Sequence, residues 1–257
     1  MRLFDTHCHF DFEPFSTNFP YHIAQAKAQG VERFLIPAIG PSNWQTLLEL
    51  SHRYSEIYFA LGFHPYFLDG NSPAHLRALE RLLGEHHARC VAVGECGLDG
   101  MVAVDKDLQE QMFIAQIELA KTFQKPLILH SRKTHNRLIQ LLKQHKFTDR
   151  GVIHGFAGSY QQAMQYVDLG FCIGVGGVIT YPRANKTRQA IAKLPLDSLI
   201  LETDSPDMPL NGYQGKNNHP KLLSEVLASL AELKEDSRQT IARKLWENSS
   251  SLFGICE

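Results

Sequence analysis

Eight short apolar runs, often β-branched, recur along the chain with amphipathic segments between them. They are Leu3–His9, Val31–Ala38, Ile57–His64, Val91–Leu98, Pro126–Ser131, Gly151–Phe156, Phe171–Val178 and Leu199–Pro206. Runs that are nearly apolar throughout suit strands of a parallel sheet buried on both faces. Between them, Leu108, Met112, Ala115, Leu119 and Phe123 recur every three or four residues, which predicts a helix over 108–123. Helix starts are signalled at Ser42 with Gln45 and at Ser159 with Gln162, both with capping-box spacing. Ser72 followed by Pro73 places a cap before a first-turn proline. The last helical region falls at Pro220–Leu233 and Asp236–Phe253. Strand then helix, repeated eight times, predicts a (β/α)8 TIM barrel of the α/β class. The rival is an open doubly wound sheet. Polar residues gather where the strands end and could converge on one axis, which favours the barrel. A chain of 257 residues could hold two small domains, but such a barrel takes ~250 residues as one. One domain over 1–257 is therefore expected.

The near-neutral balance (net charge −1) offers no global field for a polyanion, so any nucleic-acid contact must rest on a local patch. No 18-residue apolar run exists, and the N-terminus lacks the basic and apolar regions of a signal peptide. The five cysteines (Cys8, Cys90, Cys96, Cys172, Cys256) form no C-x-x-C and fit free thiols. A cytoplasmic protein without a membrane or an obligate protein partner is expected.

The chemistry gathers at the strand ends. His7 and His9 form a His-x-His at the end of the first run. Alternate residues of a strand share a face, so both imidazoles point one way. With 13 histidines such a pair is expected about once by chance. It gains weight because Glu95, His130, His154 and Asp204 stand at the ends of later runs. By alternation, Leu3, Asp5, His7 and His9 share a face, as do Val91, Val93 and Glu95. The same holds for Ile128 with His130, Val152 with His154, and Ile200 with Glu202 and Asp204. Four imidazoles and two carboxylates in one cavity would be costly if left unpaired. Divalent metals supply the reason: zinc, manganese, cobalt or nickel suit this mixture, and magnesium does with added water. No cysteine takes part, which argues against a closed structural zinc site. Six ligands exceed one tetrahedral zinc but suit two metals ~3.5–4 Å apart that share a carboxylate.

These residues resemble the TatD family of metal-dependent hydrolases and deoxyribonucleases over essentially the whole chain. The resemblance rests on Asp5-Thr6-His7-Cys8-His9, Gly62-Phe63-His64-Pro65 and Gly94-Glu95-Cys96-Gly97-Leu98-Asp99. It continues through Gln109, Phe113 and Gln116, then Pro126 to Arg132, His154 to Gly158, and Leu201-Glu202-Thr203-Asp204-Ser205-Pro206. The run Gly174 to Arg183 resembles one branch of that family. The resemblance implies two divalent cations per chain (zinc, manganese or magnesium). One would be held by His7, His9 and Asp204 and the other by His130 and His154, with Glu95 between them. It further implies that Asp204 takes the proton of the attacking water and that His64 lies at the mouth near a phosphate oxygen. Three departures surround the site. Gly155-Phe156-Ala157-Gly158 replaces the family's Cys-Phe-Ser-Gly, Asn218-His219-Pro220 its Asn-Glu-Pro, and Gly100-Met101-Val102-Ala103 the aromatics that often follow Asp99. They bear on substrate rather than on hydrolysis.

The leading function is therefore a phosphoester hydrolase acting on DNA ends or single strands, with Asp204 and Glu95 as catalytic residues and His64 and Arg132 as substrate contacts. The alternatives are an amidohydrolase-type hydrolase of an amide, lactone or carboxylic ester, and a non-catalytic metal-dependent binding protein. Many two-metal amidohydrolases bridge with a modified lysine, whereas the fourth strand here offers Glu95. Other polar residues have plainer readings. Cys8 and Cys96, of opposite parity, pack outward. Glu202 and Asp5 could orient imidazoles or form structural hydrogen bonds. Arg183, Lys186 and Arg188 read as loop charges. His22, His52, His75, His86, His87, His135 and His145 read as surface residues, and His219 carries no role.

Overall fold

The computed structural model describes residues 1–85 and 87–256; His86, read above as a surface residue, lies outside them. The strands are β1 (Leu3–Asp5), β2 (Val31–Pro37), β3 (Ile57–Leu61), β4 (Cys90–Asp99), β5 (Leu127–Arg132), β6 (Gly151–Ile153), β7 (Phe171–Val175) and β8 (Leu199–Leu201). They pair in parallel, each with the next in sequence. The sheet closes on itself: the Thr6 N–H donates to the Leu201 carbonyl at 3.0 Å, and the Asp204 N–H donates to the His7 carbonyl at 2.8 Å. The crossovers carry α1 (Phe19–Ala28), α2 (Pro41–Arg53), α3 (Leu76–Gly84), α4 (Lys106–Phe123), α5 (His135–Gln144), α6 (Tyr160–Val167) and α7 (Asn185–Lys193). Helices α8 (Leu223–Lys234) and α9 (Arg238–Leu252) complete the ring. This is the TIM barrel, not the open sheet. Among the described residues no helix is long and apolar enough to cross a membrane.

Local signals place most helix starts. Ser159 and Gln162 form the reciprocal capping box, with bonds of 3.2 and 3.0 Å. Asp105 caps α4 through the Leu108 N–H, which moves its start two residues ahead of the expected one. Ser237 caps α9 in the same way. Two expected starts are corrected. Helix α2 begins at Pro41 after Gly40, because proline's fixed φ seeds the first turn. Ser42 is therefore already helical, and Asn43 instead accepts the Ile39 N–H at 3.1 Å. Ser72 opens only a 3-10 turn and accepts the Asp69 N–H, so α3 starts at Leu76.

Two apolar layers hold the barrel. Inside it, Phe4, Leu35, Ala60, Ala92, Ile128, Val152 and Ile200 form one cluster, plugged by Trp246, Leu252, Phe253 and Ile255. The plug lies under the strand starts, where Arg150 donates to the Ser251 carbonyl at 3.2 Å. Outside it, Leu3, Phe34, Phe59, Val93, Leu129, Ile153 and Leu199 pack against the helices. The apolar end is thus sealed, and polar side chains collect at the C-terminal end, where barrel sites are built.

Most ladders stop earlier than the apolar runs, while β4 and β5 each run one residue further, to Asp99 and Arg132. β1 ends at Asp5 rather than His9, β3 at Leu61 rather than His64, β6 at Ile153 rather than Phe156, and β8 at Leu201 rather than Pro206. Past those points the backbone turns to present side chains, with Asp204 left-handed at φ 57°. Simple alternation also fails twice. Leu3 faces outward and Phe4 inward, so Leu3 does not share the face of His7 and His9. In β4, Ala92 lies inside and Val93 outside, so Val93 does not share the face of Glu95. The register shifts between Val93 and Cys96, which pair with Leu127 and Leu129: three steps along β4 match two along β5. One extra residue reverses the alternation. That reversal carries Glu95 inward.

Candidate metal centre

Glu95 is the hub. It is 1% exposed, and its two carboxylate oxygens face two different groups of imidazoles. Oε1 lies 2.7 Å from His154 Nε2, 3.1 Å from His130 Nδ1 and 3.2 Å from His64 Nε2. Oε2 lies 3.1 Å from His7 Nε2 and 3.6 Å from His9 Nε2. Asp204 Oδ1 joins the second group, 3.4 Å from His7 Nε2 and 3.8 Å from His9 Nε2. The six residues read from the strand ends therefore meet in one cluster. His64 joins them: its Nδ1 accepts the Tyr66 N–H at 3.0 Å. The neutral ring must then carry its proton on Nε2, aimed at Glu95.

Burial sets the protonation. It pushes His7 down to about 3 and His9 down to about 4, so both stay neutral and keep a lone pair to offer. Burial would also lower His154, but the Glu95 and Asp204 carboxylates outweigh it and push His154 up to about 10. Burial would raise Glu95, yet the surrounding His154, His64 and His7 hold it well below the carboxylate range. Burial raises Asp204 to about 8. Asp99 and Glu95 outweigh burial at His130 too and raise it, so protons on the imidazoles around Glu95 balance the charge it brings into the cluster, and bound cations would displace them.

The donor set fits divalent metals. His7 Nε2 and Glu95 Oε2, though 3.1 Å apart, are buried and neither makes an aligned hydrogen bond among the described residues. Leaving such groups unmet costs about 1–3 kcal/mol each. Within groups whose ligand atoms lie less than 4.8 Å apart stand His7, His9 and Glu95; His64, Glu95 and His130; and His7, His154 and Glu202. Cys8 and Cys96 are fully buried in the outer layer, away from this set.

Supporting contacts fix the imidazoles. Asp99, quoted above only as part of a motif, accepts from His130 Nε2 at 3.0 Å and leaves Nδ1 to face Glu95. Asp99 is itself held by the Met101 N–H at 2.8 Å. Its place four residues beyond Glu95 on the same strand was the available sequence signal. Asp5 accepts from the Thr203 N–H and hydroxyl at 3.0 and 2.7 Å, bracing β1 against the chain beyond β8. Glu202 accepts the Gly155 N–H while its other oxygen stays unpartnered beside His7 and His154.

Arg132 does not enter the cluster. Its side chain is 57% exposed and its guanidinium lies 3.6 Å from Asp99, behind His130. Arg188 is tied to the Ile179 carbonyl and is not a free loop charge. His219, given no role, is buried and meets His22 at 3.1 Å, so His22 is not simply a surface residue. His135 is also partly buried, 3.0 Å from the Tyr166 hydroxyl.

A closed parallel barrel with histidines and carboxylates converging at its C-terminal mouth defines a metal-dependent hydrolase of the TIM-barrel kind. Comparison with known proteins specifies it further. The family model for TatD related DNase matches residues 4–254, and the chain belongs to that family. It is 47% identical over 256 residues to the uncharacterized metal-dependent hydrolase YjjV of Escherichia coli K12, covering 99% of this chain and 98% of the relative. An uncharacterized metal-dependent hydrolase of Haemophilus influenzae is 41% identical, over 98% of this chain and all of its own length. The crystal structure of YjjV, a TatD homologue, superposes with a TM-score of 0.96 at 46% identity, over 99% of both chains.

Proposed function

We propose that this single-domain hydrolase cleaves phosphodiesters at DNA ends or in single strands, using two divalent cations. His7, His9 and Asp204 would hold one and His130 with His154 the other, with Glu95 between them. One observation carries the reading: the Glu95 oxygens divide the imidazoles into two groups, 2.7–3.2 Å from Oε1 and 3.1–3.6 Å from Oε2. When bound, such cations supply Lewis acidity toward phosphoryl oxygens and make water acidic enough to attack near neutral pH. The chain's own groups do the rest. Asp204, 14% exposed at its side chain, accepts the proton of the attacking water once bound cations hold it as the carboxylate, and returns it to the leaving oxygen. His64, 12% exposed at the rim of the cluster, would turn Nε2–H from Glu95 to a non-reacting phosphate oxygen once cations replace it at that carboxylate. Arg132, further out, holds a neighbouring phosphate. Asp99 keeps His130 in the tautomer that offers Nδ1.

Glu95 in place of a lysine bridge supports phosphoester over amide chemistry, and an open two-metal centre supports catalysis over mere binding. The test is one panel on metal-loaded protein: labelled single-stranded DNA, a p-nitrophenyl phosphodiester, and amide, lactone and carboxylic ester substrates. Turnover of the phosphodiesters is expected. Turnover confined to amides, lactones or carboxylic esters would transfer the site to the amidohydrolase reading, and no turnover with tight metal binding would leave a binding protein.

A further inference from the structure

Few large apolar side chains are exposed among the described residues, and two adjacent ones stand at the metal centre. Tyr66 is 57% and Phe67 49% exposed. They sit on a 3-10 turn, Pro65–Phe67, shortly after β3. Their rings touch, with centroids 4.9 Å apart, and the Phe67 ring lies 5.6 Å from the His64 ring. His64 in turn reaches Glu95 at 3.2 Å. A continuous aromatic path therefore leads from the cluster to solvent. Isolated exposed apolar residues need no explanation, but a contiguous pair beside a site does. The turn is pre-organised: Pro65 is buried, the Tyr66 N–H bonds to His64 Nδ1 at 3.0 Å, and the Phe67 N–H bonds to the His64 carbonyl at 3.1 Å.

We propose that Tyr66 and Phe67 form a stacking platform for an unpaired nucleobase next to the phosphate at the metal centre, and so select single-stranded DNA ends. This rests on the phosphodiester reading above. Aromatic faces accept any base, so the platform grips without reading sequence. A paired base inside a duplex already has both faces covered and cannot reach it. The charge balance points the same way: with a net charge of −1, backbone attraction is weak and affinity must come from elsewhere.

The test uses the metal-loaded full chain with both residues changed, Tyr66→Ala with Phe67→Ala. KM for a single-stranded oligonucleotide should rise by about 5- to 150-fold, the factor expected of lost base stacking, with kcat little changed. Wild type should lose a comparable factor on a strand with abasic terminal nucleotides, and the double variant should lose nothing more on it. The double Ala variant should cleave the small p-nitrophenyl phosphodiester as wild type does, which excludes misfolding, and the conservative pair Tyr66→Phe and Phe67→Tyr should restore wild-type behaviour on the oligonucleotide. Independently of turnover, a terminal 2-aminopurine should be quenched on binding to wild type and not to the double variant. Equal KM, or equal quenching by both proteins, overturns the platform. Cleavage of a small phosphodiester with neither binding nor cleavage of oligonucleotides overturns it too, while leaving the phosphodiester reading intact. If nothing is cleaved, that reading fails and the quenching alone decides the platform.

Discussion

Asp99→Asn isolates what a single positioning contact does. Asp99 Oδ2 accepts from His130 Nε2 at 3.0 Å, and Oδ1 accepts the Met101 N–H at 2.8 Å. An asparagine has one acceptor oxygen for these two donors. If it keeps Met101, its NH2 faces His130 Nε2 and drives the ring proton to Nδ1, the atom that faces Glu95 and would bind metal. If it keeps His130, its NH2 opposes the Met101 backbone N–H. Loss of such an outer contact typically costs 10–100-fold in metal affinity, about 1.4–2.8 kcal/mol. The assay is calorimetric titration of Mn2+ or Zn2+ into chelator-stripped protein, followed by activity against metal concentration. We expect the weaker of the two binding steps to be lowered by that factor, with most of the activity regained at high metal. Unchanged metal affinity, or activity that no metal concentration restores, would refute the positioning role.

Other outcomes follow from the same geometry. Protein purified without chelator should carry about two divalent cations per chain; elemental analysis showing none even after supply, with activity indifferent to EDTA, would remove the metal centre. Arg132→Ala should raise KM for DNA more than for a small phosphodiester, because the exposed guanidinium reaches beyond the reacting group; equal effects on both substrates would assign it to steadying Asp99. His219 should make stability fall in acid. Burial, with Lys221 and His22 nearby, lowers it from 6.5 to about 3, so the unfolded chain binds more protons between those values. Its contribution is complete above pH 6.5 and is lost as the pH drops toward 3. Urea midpoints at pH 7 and pH 5 should differ less in His219→Asn than in wild type, and an unchanged difference would exclude the residue.

Much was legible in the chain because it depends on composition within a few residues. Apolar runs separated by amphipathic segments mark buried parallel strands and their crossovers. Ligand-type residues at the ends of those runs fall at the mouth of any barrel they form, so His7, His9, Glu95, His130, His154 and Asp204 could be named in advance. Ser159 likewise carries its cap in the local sequence, whereas the Asp105 cap went unread. What alternation could not supply is direction. Glu95 points inward because β4 gains a residue against β5 between Val93 and Cys96, and a register belongs to a pair of strands, not to one. Asp99 became a partner of His130 and Arg132 stayed outside the cluster only once β4 and β5 lay side by side. The exposure of Tyr66 and Phe67 and the burial of His219 against His22 are decided by which neighbours arrive from distant segments. The sequence by itself determined the alternating architecture, the residue types at the strand ends and hence the hydrolase class. The tertiary structure alone decided which oxygen of Glu95 meets which imidazole, because that depends on the strand register and the closure of β1 onto β8, both set by contacts far apart in the chain.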